Sequence, residues 1–83
     1  MPKVEIYTTS LCGFCVRAKK ILKNKNISFL EYDVTSNEKC RDEMIERAGS
    51  HYVPQIFIND EHIGGSDDLA AIEKSGVLDT KLG

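Results

Sequence analysis

Along the chain the spacing of apolar residues switches between periods of two and of three to four, and this switching outlines the elements. Lys3–Thr8 alternate and are rich in the strand formers Val4, Ile6 and Tyr7, which predicts a first strand. After the short loop Thr9-Ser10-Leu11, Cys15, Ala18 and Leu22 follow one another at i, i+3 and i+7. That spacing predicts a helix from about Gly13 to Lys25, with Lys19, Lys20 and Lys23 on its other faces and Asn24-Lys25-Asn26 ending it. Ile27–Val34 reads as a second strand. Thr35 or Ser36 is expected to cap a second helix that runs to about Ala48, turns Cys40, Met44, Ile45 and Ala48 inward and stops at Gly49. Gln55–Asn59 and Glu61–Ile63 flank Asn59-Asp60 as in a tight hairpin. A last helix is expected over Ser66–Lys74, with Leu69, Ile72 and Val77 packed inward.

The resulting order is β-α-β-α-β-β-α. A strand–helix–strand unit requires its two strands to lie parallel with a right-handed crossover. The hairpin then completes a four-stranded mixed sheet flanked by three helices, an α/β fold. At 83 residues this is one domain, residues 1–83. A chain of this size buries only about 60% of the surface its unfolded form exposes, so the core is modest.

Composition narrows the function. Apolar residues make up 41% of the chain and both charge signs are interspersed, as in an ordinary globular protein. The net charge of -2 lacks the cationic surplus that nucleic-acid binding needs. No apolar run is long enough for a secretory signal or a membrane span, so a cytoplasmic protein is expected. In that compartment structural disulfides are rare, and three cysteines make an odd number for a stapled framework.

The decisive feature is Cys12-Gly13-Phe14-Cys15, at the junction of strand, loop and helix inside a βαβ unit. The spacing puts Cys12 at or near the helix N-cap and Cys15 in the first turn, close enough for a disulfide. Unpaired first-turn amides and the positive end of the helix dipole favour a Cys12 thiolate, which is the reactive species. Cys12 is therefore expected to attack an external disulfide and Cys15 to resolve the mixed disulfide, with Arg17 adding to the positive field. The competing reading is half of a zinc site. Zinc needs two further ligands, and Cys40, His51 and His62 occur singly, so redox chemistry is the stronger reading and no metal is expected.

Four stretches together resemble the glutaredoxin family, close to its short bacterial dithiol type. They are Val4-Glu5-Ile6-Tyr7-Thr8, Cys12-Gly13-Phe14-Cys15 followed by Arg17-Ala18-Lys19, Val53-Pro54-Gln55-Ile56-Phe57-Ile58, and Ile63-Gly64-Gly65-Ser66-Asp67-Asp68-Leu69. The resemblance covers nearly the whole chain. It implies a thioredoxin-like fold and reduction of protein disulfides and glutathione mixed disulfides, with glutathione as electron donor and co-substrate. It further implies a cis Val53–Pro54 turn whose Val53 backbone pairs strand-like with the cysteinyl part of glutathione. Gly64-Gly65-Ser66-Asp67 resembles the segment that holds the γ-glutamyl end: the amides of Ser66 and Asp67 take its carboxylate and the Asp67 side chain its ammonium. The same stretch also reads as a plain turn with an ordinary N-cap, and the two readings are compatible. Arg41 lies where the family commonly places a contact to the glycine carboxylate, although an exposed helical arginine is often merely solvated.

The chain departs from the family at three places. Thr9 stands where many members carry a lysine, so one carboxylate clamp is missing unless Arg41 or Arg17 compensates. Phe14 replaces a common tyrosine and keeps an aromatic wall. Gly13 replaces a common proline and restores a backbone N–H. A looser loop of this kind also admits an alternative function, a [2Fe–2S] centre held by the Cys12 thiolates of two chains and two glutathiones. For the oxidoreductase a monomer is expected. Cys40 reads as a small buried hydrophobe, Met44 and Ile45 as core, His51 as a solvated loop residue and His62 as structural.

Overall fold

The computed structural model describes residues 2–83. Its elements are β1 (Val4–Thr8), α1 (Gly13–Asn24), β2 (Leu30–Asp33), α2 (Glu38–Ala48), β3 (Gln55–Ile58), β4 (Glu61–Gly64), α3 (Ser66–Ser75) and α4 (Val77–Leu82). The sheet order is β2-β1-β3-β4, with β1 and β2 parallel and the other neighbours antiparallel. The expected mixed four-stranded α/β sheet is thus present, with one more helix than expected.

Central position explains the burial of β1. Val4 and Ile6 face a core built with Ala18 and Leu22 of α1, Ile56 and Ile58 of β3, Leu69 of α3 and Leu78 of α4. Tyr7 faces the opposite core with Val34, Met44 and Phe57. Alternation is real, but both faces are covered, so all five residues of β1 are buried. On α1 the buried residues are Cys15, Ala18 and Leu22, the face expected from their spacing.

Three boundaries and the inward face of α2 differ from expectation. β2 begins at Leu30 rather than Ile27, because the Ile27 amide turns back to bond the Leu22 carbonyl at 3.0 Å and β1 begins only at Val4. Ile27 and Phe29 still pack on the core from outside the ladder. The cap of α2 is Asn37, whose side chain accepts from the Cys40 amide at 3.0 Å. Thr35 is unavailable for that task, since its hydroxyl accepts from the Ser10 amide at 2.9 Å. Ile45 is exposed, and the inward arc of α2 is carried by Met44 with half-buried Cys40, Arg47 and Ala48. Finally, Gly76 at φ +85° ends α3 and starts α4, and this break turns Leu78 into the core and leaves Val77 exposed. The Asn59-Asp60 turn takes positive φ at both residues, 49° and 67°, the geometry that suits a twisted hairpin.

Candidate active site

The strand–loop–helix passage places Cys12 as the N-cap of α1, with φ −143° and its sulfur accepting the Cys15 N–H at 3.1 Å. The sulfurs of Cys12 and Cys15 face one another as a disulfide, with Cα atoms 5.2 Å apart. The two are unequal in access. Cys12 is half-buried and Cys15 is buried, so only the first offers its sulfur to an incoming partner. The first turn of α1 carries no acidic residue to oppose a thiolate there.

Beside this pair runs a groove of about 280 Å³, lined by Phe14, Ser50, Tyr52, Val53, Pro54, Gln55, Gly65, Ser66, Asp67 and Asp68. The hairpin and the start of α3 bring its walls together: a Cβ at Gly65 would touch the Pro54 carbonyl at 3.5 Å. The Val53–Pro54 bond is cis. Among the described residues, neither the Val53 N–H nor its carbonyl has a backbone partner.

At the start of α3, the Asp68 carboxylate accepts the Gly65 amide at 3.0 Å. Leu69 makes the first helical bond, to the Gly65 carbonyl at 3.0 Å, so the amides of Ser66 and Asp67 precede the ladder. Gly64, at φ +120°, is required here because a Cβ would lie 2.7 Å from the Asp68 carboxyl carbon. The Ser66 Oγ is buried in this wall with no hydrogen-bond partner among the described residues. Buried hydroxyls are normally paired, and this one stands beside the groove without such a pair.

Of the residues singled out in the sequence, Phe14, Val53, Pro54, Gly65, Ser66 and Asp67 share this groove next to Cys12 and Cys15. Gly13 opens α1 with open space around its Cα. Arg17 reaches the site through Asp67, which it pairs at 2.9 Å. Arg41 does not join them. It reaches toward the Val34 carbonyl at 3.4 Å and lines a separate depression with Thr35, Ser36, Asn37 and Glu38. Tyr52, Gln55, Ser50 and Asp68 were not anticipated. Tyr52 and Gln55 bracket the Val53-Pro54 pair, the signal that could have found them. Cys40 is free and half-buried against the α2-side core. Among the described residues, no three His, Cys, Asp or Glu side chains gather where a metal ion could sit. No helix there is long and apolar enough to cross a membrane.

A family model described as Glutaredoxin matches residues 4–63. Glutaredoxin 3 of Escherichia coli strain K12 is 50% identical over 82 residues, covering 99% of each chain. A glutaredoxin of Pseudomonas aeruginosa is 46% identical over 82 residues, covering 99% of this chain and 98% of its own. The solution structure of a glutaredoxin from Brucella melitensis superposes with a TM-score of 0.82 at 46% identity, covering 94% of this chain and 85% of that one.

Proposed function

The chain belongs to the glutaredoxin family of glutathione-dependent thiol–disulfide oxidoreductases, and on that premise we propose that Cys12 is its nucleophile and Cys15 its resolving thiol. The observation that carries the reading is the unpaired Ser66 hydroxyl, set in the wall of the groove beside the dithiol at the first turn of α3. A glutathionyl γ-glutamate brings a carboxylate that matches this hydroxyl and the amides of Ser66 and Asp67. Its ammonium matches the Asp67 carboxylate. The Val53 N–H and carbonyl pair with its cysteinyl backbone, and Phe14 walls the sulfur.

In the first step the Cys12 thiolate attacks the glutathionyl sulfur of a mixed disulfide. A new S–S bond forms, the old one breaks, and the departing thiolate takes up a proton. The thiolate of a second glutathione then attacks the bound glutathionyl sulfur, releasing glutathione disulfide and returning the Cys12 thiolate. With a protein disulfide, Cys12 attacks one sulfur and Cys15 displaces the substrate from the resulting mixed disulfide, leaving Cys12–Cys15 oxidised. Two glutathiones then reduce that bond. Cys15 lies one turn from Cys12 and is buried, which suits attack on a partner already attached and not on a free one. Disulfide-containing and glutathionylated proteins are the substrates of this reading, met by a monomer in the glutathione-rich cytoplasm.

The alternative [2Fe–2S] reading takes only Cys12 from each of two chains, with two glutathiones, and gives no role to the buried Cys15 sulfur that faces Cys12, so the dithiol reading is preferred. The test is turnover of a glutathione mixed disulfide by wild type, Cys12→Ser and Cys15→Ser. Cys12→Ser should be inactive. Cys15→Ser should keep deglutathionylation and lose most reduction of protein disulfides, and full activity on both would refute the assignment of Cys15.

A further inference from the structure

Gln55 is the first residue of β3, polar, and buried to 6% exposure in the wall of the groove. Its carboxamide is committed at both ends. The Nε2 donates to the Tyr52 carbonyl at 3.0 Å, and the Oε1 lies 2.7 Å from the Nε2 of His62. Because Gln55 spends its N–H on Tyr52, the Oε1 must accept, and His62 must therefore carry its proton on Nε2. His62 is in turn fixed by its ring, which lies against Phe57 with centroids 5.0 Å apart across the β3–β4 pair.

The Tyr52 carbonyl belongs to the same planar peptide unit as the Val53 N–H. In a trans unit the two point in opposite directions, and the only cis bond of the described residues is the one after Val53. Holding the Tyr52 oxygen on the Gln55 carboxamide therefore turns the Val53 N–H the other way. That N–H is the group without a backbone partner beside the groove.

We propose that Gln55 is a positioning residue for the glutathione groove, and that the relay His62–Gln55–Tyr52 sets the direction in which the Val53 amide is presented to ligand. The edge strand β4 thereby takes part in ligand recognition through His62. Gln55 contributes no charge and no nucleophile. Its effect is preorganisation: the peptide plane is already turned when ligand arrives, so no bound state has to pay for turning it. This inference rests on the reading that the groove takes glutathione.

The experiment measures binding of S-methylglutathione, which cannot exchange sulfur, by calorimetry at neutral pH. It compares wild type with Gln55→Met, Gln55→Glu and His62→Phe, and thermal midpoints are taken in parallel. Gln55→Met keeps the shape and removes both bonds, and should bind about fivefold more weakly, the size of one neutral hydrogen bond. Gln55→Glu keeps the acceptor for His62 but faces the Tyr52 carbonyl with oxygen, and should bind at least as weakly as Gln55→Met. His62→Phe keeps the ring stack and frees the carboxamide to turn, and should bind about twofold more weakly. In nitrogen-15 spectra the His62 ring should be the Nε2–H tautomer in wild type and lose that preference in Gln55→Met. Lower thermal midpoints with unchanged affinity would overturn the proposal, as would wild-type affinity in Gln55→Glu. If the wild type itself failed to bind S-methylglutathione, the functional reading above would fall, and this inference with it.

Discussion

Arg17 holds the Asp67 carboxylate at 2.9 Å, an ion pair that ties the second turn of α1 to the first turn of α3 across 50 residues of sequence. The carboxylate proposed to receive the glutathione ammonium is thus already shared with a guanidinium. Both side chains are well exposed, at 51% and 86%, so the pair contributes little to stability. Asp67→Asn is expected to leave the urea midpoint almost unchanged, within about 0.5 kcal/mol. It should raise KM for a glutathionylated peptide roughly fivefold, since a charge-assisted bond to the ammonium is lost. An unchanged KM would remove Asp67 from the site.

Gly64 should be intolerant of any side chain. Its φ of +120° is unfavourable for alanine, and the added Cβ would press on the Asp68 carboxylate that caps Gly65. Gly64→Ala is expected to cost about 1–2 kcal/mol in chemical denaturation. It should also weaken S-methylglutathione binding, because the cap shapes the amides of Ser66 and Asp67. Gly13→Ala, which meets open space, is the control and should bind normally.

On the far face of the sheet, Arg47 grips Glu5 with Nη2 at 3.0 Å from one carboxylate oxygen and Nη1 at 3.2 Å from the other. The guanidinium also lies 4.0 Å from the Phe57 ring centre. Burial disfavours the ionised Glu5, but hydrogen bonds from Arg47 and Tyr32 outweigh it and hold the carboxyl below its ordinary value. The Lys19 hydrogen bond lowers Glu31 in the same way. A depressed carboxyl adds stability above its unfolded pKa, about 4.3, and loses it as pH falls through the lower folded value. Urea titrations should therefore show this contribution intact at pH 6 and fading below about pH 4.5. Arg47→Met strands a buried carboxylate and should cost about 2–3 kcal/mol at neutral pH. Its loss should shrink on mild acidification, because protonating the stranded Glu5 then relieves the fold. A parallel acid profile in wild type and variant would contradict the pairing.

Tyr7 offers the alkaline counterpart. Burial, reinforced by its hydrogen bond to Glu43 at 2.7 Å, pushes the phenol up to about 12. A raised folded pKa gives stability that is present below the unfolded value of about 10 and lost as pH climbs through the folded one. Near-ultraviolet titration should find one tyrosine ionising only with alkaline unfolding. Tyr7→Phe should remove that late step and cost about 1–2 kcal/mol.

What was legible in the residues was whatever depends on near neighbours. The period of Cys15, Ala18 and Leu22 determined the buried face of α1, and the Asn59-Asp60 pair determined the hairpin. The spacing of Cys12 and Cys15 determined a dithiol at a helix start, because the first-turn amides that surround it are a property of any such turn. Contacts across the sheet were not legible. Asn37, not Thr35, caps α2 because Ser10 from another loop claims the Thr35 hydroxyl. Arg47, not Ile45, lies inward on α2 because β1 offers it the buried Glu5. Gly76 split the last helix and exchanged Val77 for Leu78, a one-residue rotation that periodicity over a few residues does not resolve. The groove itself, with Arg41 left outside it and Gln55 inside, exists only where β3, α1 and α3 converge. Local order is written in adjacent side chains, whereas a site is made by residues far apart in the chain, and only their packing decides which of them meet.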